Sequence, residues 1–123
     1  MRVQRSRQHL DVQVEKEENF SVVALEGAIE AATVKKFRSA FDDLCREPGS
    51  RIILDCGELT YMNSASLGML NRFHRSCEEG GGLLAICRLP PKIHGLIKLL
   101  GLESKLRIFD TRREARAAME KNE

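Results

Sequence analysis

The residues with the most chemistry to offer in this 123-residue chain stand together in Tyr61-Met62-Asn63-Ser64-Ala65-Ser66-Leu67-Gly68. Leu67, Leu70, His74 and Cys77 follow at helical spacing, so Asn63 and Ser64 mark a helix start. A side-chain oxygen there can cap the helix by accepting a bond from an N–H that lacks an intrahelical partner. A serine hydroxyl there can also carry phosphate, which adds about two negative charges and three strong acceptors. Free N–H groups and the helix dipole tolerate such charge. The fold would then stay intact, and the cost would fall on a partner shaped to a neutral hydroxyl. Ser64 therefore has two readings, cap and switch.

Elsewhere the chain offers little to a catalyst. His9, His74 and His94 are scattered. His74 falls on the apolar stripe as a structural histidine, and neither His9 nor His94 has a carboxylate or cysteine partner in spacing. No carboxylate pair is set up for acid–base work, and there is no Gly-x-Ser-x-Gly elbow. Gly80-Gly81-Gly82 follows a helix, whereas a phosphate cradle opens one. Asp55 is expected to end the third strand, where a two-component receiver carries its phosphoryl-accepting aspartate. A receiver also needs acidic metal ligands after its first strand and a lysine after its last. Here the first strand enters a turn at Glu15–Asn19, and Leu106–Asp110 contains no lysine. Cys45, Cys56, Cys77 and Cys87 are far apart, without a Cys-x-x-Cys, and lie in or beside apolar stretches as small hydrophobes. Neither a metal nor a cofactor is expected, and the protein is not read as an enzyme.

Composition narrows the class further. Twenty basic against eighteen acidic residues leave a net charge of +2, too balanced to argue for nucleic acid. With no Trp and one Tyr, base-stacking surfaces are poorly supplied. No apolar run approaches the roughly 18–20 residues of a membrane span, and no secretory signal is recognisable. A reducing cytoplasm is the expected compartment.

The elements that must hold the Ser64 stretch follow from periodicity. Residues 1–8 read as a flexible tail and 9–120 as one domain. Leu10, Val12 and Val14 alternate as a half-buried strand. After the turn, Phe20–Leu25 is a second strand, antiparallel to the first. Gly27–Ala32 reads as a loop and Thr33 as an N-cap. Val34, Phe37, Phe41 and Leu44 form the stripe of a first helix, stopped by Glu47-Pro48-Gly49-Ser50. Arg51–Asp55 is a third strand, apolar enough to be covered on both faces. The helix begun at Ser64 runs to about Cys77. Leu83–Cys87 is a fourth strand. Pro90 and Pro91 open a third helix facing inward through Ile93, Leu96, Ile97 and Leu100, ended by Gly101. Leu106–Phe109 is a fifth strand, and Thr111-Arg112-Arg113-Glu114 spells a capping box for a last helix with Ala115, Ala118 and Met119 inward. The order β-β-α-β-α-β-α-β-α predicts an α/β domain: a mostly parallel, mixed five-stranded sheet with four helices.

From about Leu10 to Met119 the chain resembles the STAS domain of bacterial anti-sigma-factor antagonists. Leu25–Thr33 looks like the family's Leu-x-Gly-x-Leu-Asp stretch and the helix start after it. Ile53-Leu54-Asp55 to Leu59-Thr60-Tyr61-Met62 is similar to its strand and approach to the site. Asn63–Gly68 falls on its Asp-Ser-Ser/Thr-Gly-Leu-Gly motif. The resemblance implies a protein that binds an anti-sigma factor which is also a serine kinase. Phosphorylation of the motif's first serine ends that complex, and a phosphatase reverses it. Carried over, Ser64 is the phosphoacceptor, and Glu30, Thr33, Asn63, Ser64, Ala65, Ser66 and Leu67 form the partner surface. Asn63 replaces an aspartate, which eases phosphate repulsion or alters kinase recognition. Ala65 replaces a second hydroxyl residue. Ser66 replaces a glycine, adding a side chain where a partner approaches and a second candidate acceptor. The alternative is a STAS scaffold or ligand-sensing subunit, in a signalling assembly or beside a transporter, with no phosphorylation cycle.

Overall fold

A computed structural model describes residues 9–121. The tail expected over residues 1–8 lies outside them. The chain runs β1 Leu10–Lys16, β2 Ser21–Ile29, α1 Val34–Leu44, β3 Arg51–Met62, α2 Ser64–Glu79, β4 Leu83–Cys87, α3 Pro91–Leu99, a 3₁₀ turn Glu103–Lys105, β5 Arg107–Phe109 and α4 Arg112–Lys121. The element order and the fold class agree with the sequence reading.

The strands lie in sequence order, β1-β2-β3-β4-β5, with β1 antiparallel to β2 and the other pairs parallel. Each crossover helix therefore steps in the same direction. Parallel crossovers are right-handed, so α1, α2 and α3 must share one face of the sheet. Phe37 and Phe41 of α1, Leu67 and Leu70 of α2, and Ile93 and Ile97 of α3 do pack there, against Val23, Leu25, Ile52, Leu54, Leu84 and Ile86. Helix α4 has no further strand to reach. It closes the opposite face, setting Ala115 and Met119 on Val22, Ile53, Ala85 and Cys87. Residues 52–56 and 83–87 are all buried, as strands covered on both faces require. Phe73 stacks on Phe41 at 4.7 Å between ring centroids and meets Phe37 edge-on at 5.7 Å, joining α2 to α1.

Two strands are longer than the periodicity implied. Strand β2 continues through Gly27 to Ile29, where a loop was expected. Gly27 has φ +118, and a Cβ there would lie 2.2 Å from the His9 carbonyl oxygen. The glycine thus marks an irregularity inside a strand instead of a turn. Strand β3 continues past Asp55 to Met62. Its pairing with β2 shifts twice, between Ala24 and Glu26 and between Gly27 and Ala28, with one extra β3 residue each time. The shifts break strict alternation, which hid the continuation. Asp55 accordingly lies within a strand, not at its end.

Smaller differences lie at element ends. Helix α3 stops at Leu99, so Leu100 is not inward: it is 43 % exposed, and Leu99 is 81 % exposed. Strand β5 begins at Arg107, one residue after Leu106, because the 3₁₀ turn runs up to Lys105. The capping box forms in part: the Glu114 N–H donates to the Thr111 hydroxyl at 3.1 Å, while the Glu114 carboxylate accepts from the Asp110 N–H at 3.1 Å.

Candidate functional site

The Ser64 stretch lies where β2 and β3 end side by side. The Asn63 N–H donates to the Ile29 carbonyl at 3.3 Å, fastening the end of β3 to that of β2. Asn63 is extended (φ −84, ψ 170) and is the N-cap of α2. Its Oδ1 accepts from the Ser66 N–H at 2.8 Å and from the Ser66 hydroxyl at 2.6 Å. One amide oxygen thereby satisfies two donors. The cap is Asn63, one residue before Ser64.

Ser64, relieved of capping, is the first residue of α2 and exposed, as is Ala65. Among the described residues the Ser64 hydroxyl has no hydrogen-bond partner, and neither do the N–H groups of Ser64 and Ala65. No acidic residue stands in the first turn of α2 or of α1. The first turn of α2 therefore supplies no carboxylate of its own to the positive end of the dipole at Ser64.

The other residues expected at a partner surface divide by burial. Glu30 and Asn63 are half-buried and reach the surface beside Ser64 and Ala65. Leu67 is fully buried in the main core and anchors α2 to the sheet. Ser66 is 0 % exposed, with its hydroxyl spent on Asn63. The side chain expected to face a partner and offer a second acceptor is therefore internal. Thr33 is 7 % exposed. It stands at the N-cap position of α1 but makes no side-chain cap bond to that helix. Its hydroxyl instead accepts from the Glu30 N–H at 3.0 Å and donates to the Ala28 carbonyl at 2.7 Å. Thr33 and Ser66 thus shape the two loop ends from beneath, while Ser64 and Ala65 form the displayed edge.

An ion cluster around a buried carboxylate went unseen in the sequence. Asp55, 3 % exposed, takes Arg112 at 2.7 Å and Arg88 at 3.1 Å, and accepts from the Gly57 N–H at 3.0 Å. Burial pulls its carboxyl upward, but the Gly57 N–H and the Arg112 and Arg88 guanidinia outweigh it and hold the carboxyl below its ordinary value. Asp55 stitches β3 to the end of β4 and the start of α4, a structural role in place of phosphoryl acceptance. Arg88 adopts φ +60, which no sequence pattern signals.

The histidines also find partners the spacing did not suggest. His94 Nε2 lies 2.9 Å from Glu103 and His9 Nε2 3.1 Å from Asp11. His74 is buried with its Nδ1 unpaired among the described residues and its Nε2 3.8 Å from Glu78. Desolvation lowers its pKa. Among the described residues no group of three or more His, Cys, Asp or Glu side chains is placed to hold a metal ion, and no helix is long and apolar enough to cross a membrane.

The fold is a mixed sheet that displays the exposed Ser64 hydroxyl at the start of α2. Residues 11–115 match the model of the STAS domain, and the chain belongs to that family. It is 26 % identical over 113 residues to the anti-sigma F factor antagonist of Paenibacillus polymyxa, covering 91 % of this chain and 97 % of that one. Its fold superposes on that of an anti-sigma factor antagonist from Mycobacterium paratuberculosis with a TM-score of 0.83 at 19 % identity, covering 92 % of this chain and 96 % of the other. The Bacillus cell fate determinant SpoIIAA in its phosphorylated form superposes with a TM-score of 0.68 at 20 % identity, covering 88 % and 98 %. Members of this kind are regulatory binding proteins, and this one is not an enzyme.

Proposed function

We propose that the protein is a cytoplasmic anti-sigma-factor antagonist, bound by an anti-sigma factor that is also a serine kinase and released when that kinase phosphorylates Ser64. A phosphatase acting on the phosphoserine resets it. The docking surface is the exposed start of α2, Ser64 and Ala65, edged by Glu30 and Asn63. The observation that carries this reading is the free, exposed Ser64 hydroxyl one residue past a cap that Asn63 already supplies. A kinase can take that hydroxyl without unmaking the helix start. The dianion formed would meet the free N–H groups of Ser64 and Ala65 and the α2 dipole, so the domain tolerates it. A partner seated on α2 would instead bury an added charge of about two units and lose affinity. Support from relatives is of two kinds: the Paenibacillus protein is an anti-sigma F factor antagonist, and SpoIIAA exists in a phosphorylated form.

The test is incubation with the cognate kinase and ATP, followed by mass mapping. Phosphate is expected on Ser64 alone, and none is expected in Ser64→Ala. Modification of another residue, or of the Ala variant, would refute the assignment. Ser64→Asp is expected to fold normally yet bind the kinase at least about tenfold more weakly, a loss of about 1.4 kcal/mol. Unchanged affinity would count against the switch.

A further inference from the structure

The fold joins two thiols that the sequence keeps 32 positions apart. Cys45 is the C-cap of α1, and Cys77 sits in the last turn of α2. Their sulfurs are 3.5 Å apart, close enough to share a hydrogen bond, and both are free thiols. Cys77 is buried, whereas Cys45 is only partly covered. A cavity of about 190 Å³ is lined by both cysteines together with Pro48, Gly49, Ser76 and Gly80. The pair is thus both mutually apposed and beside space that a small oxidant can occupy. Cys56 and Cys87 differ: both are fully buried between sheet and helices, and burial pushes their thiols up, Cys87 to about 11.

We propose that Cys45 and Cys77 form a hydroperoxide-sensing pair that closes reversibly to an intramolecular disulfide, tying the end of α1 to the last turn of α2. The two sulfurs have distinct parts. The hydrogen bond the two sulfurs share lowers the Cys45 pKa, favouring the thiolate on the more accessible sulfur; the same bond and burial raise Cys77. The Cys45 thiolate attacks one oxygen of hydrogen peroxide. An S–O bond forms as the O–O bond breaks, the sulfur loses two electrons, and the departing hydroxide takes up a proton to become water. Cys77 then attacks the Cys45 sulfenic sulfur. The S–S bond forms, the S–O bond breaks, and the hydroxide released takes the Cys77 proton as a second water. Two thiols and one peroxide thus give one disulfide and two waters. Thiol reductants reverse it, as befits a transient disulfide in a reducing compartment. The bridge lies about 20 Å along α2 from Ser64, from 1.5 Å rise per residue, so it acts on helix packing without occupying the docking surface.

The test treats the intact protein with hydrogen peroxide, blocks remaining thiols with iodoacetamide under denaturing conditions, and reads intact and peptide masses. The expected product has two alkylated cysteines, Cys56 and Cys87, and a linked peptide joining Cys45 to Cys77 that dithiothreitol releases. Cys77→Ser is expected to accumulate a sulfenic acid on Cys45 that dimedone traps, and Cys45→Ser to resist mild oxidation. Four alkylated thiols after peroxide, a bridge between any other pair, or sulfinic acid on Cys45 without a linked peptide would each overturn the proposal. So would a Cys77→Ser protein that dimedone does not label.

Discussion

Replacing Asn63 by alanine removes the acceptor of two donors at once. The first loss is the N-cap bond from the Ser66 N–H at 2.8 Å, worth about 1 kcal/mol in helices of this kind. The second is the acceptor for the Ser66 hydroxyl at 2.6 Å, on a side chain that is 0 % exposed. A buried hydroxyl left without a partner costs about 1–2 kcal/mol more. Asn63→Ala is therefore expected to destabilise the domain by about 2–3 kcal/mol. Ser66→Ala alone removes one bond and leaves the cap, so about 1 kcal/mol is expected. The double variant has no hydroxyl to orphan and should lose only about 2 kcal/mol, roughly 1–2 less than the sum of the singles. Urea unfolding followed by circular dichroism measures all four corners of this cycle. Additivity within about 0.3 kcal/mol would refute the idea that one amide oxygen serves both donors.

Three further outcomes follow from other parts of the molecule. Asp55 has a depressed pKa in the fold, so its contribution is fully present above its ordinary value of 3.8 and is lost as pH falls through the lower folded value. Asp55→Asn should flatten that acid limb of a stability–pH curve and cost about 2–3 kcal/mol at neutral pH. This is below the usual figure for breaking a buried pair, because Arg88 and Arg112 can turn to water. His74 is also lowered, by desolvation, so the fold prefers it neutral. Its stabilising contribution is complete above 6.5 and declines as pH falls below that, and His74→Leu should remove this slope in urea midpoints taken between about pH 7 and 5. Gly27→Ala combines φ +118 with a Cβ 2.2 Å from a backbone oxygen and should cost about 2–3 kcal/mol in the same assay, whereas Gly49→Ala, at φ +80 with open space around it, should cost about 1.

Local pattern by itself determined the order of elements and most of the core. The stripe Leu67, Leu70, His74 and Cys77 is buried as its spacing required, and the apolar runs at Ile52–Leu54 and Leu83–Cys87 became the central strands. The motif around Ser64 was equally legible, since a polar pair before a periodic run marks a helix start wherever it occurs. What each polar atom does there was decided by tertiary structure. Asn63 caps because β3 delivers it beside the end of β2, and Ser66 turns inward because Asn63 Oδ1 awaits it. Thr33 faces the Ala28 carbonyl because β2 runs on to Ile29, which Gly27 had disguised as a loop. Parallel pairing of Asp55 with Cys87, and the packing of α4 on the sheet, set Asp55 between Arg88, just after β4, and Arg112 at the start of α4. Parallel crossovers on one face laid α1 beside α2 and so brought Cys45 to Cys77. Periodicity reports which way a residue faces along its own element. Which partner it meets depends on register and crossover, and these are settled only when the whole sheet closes.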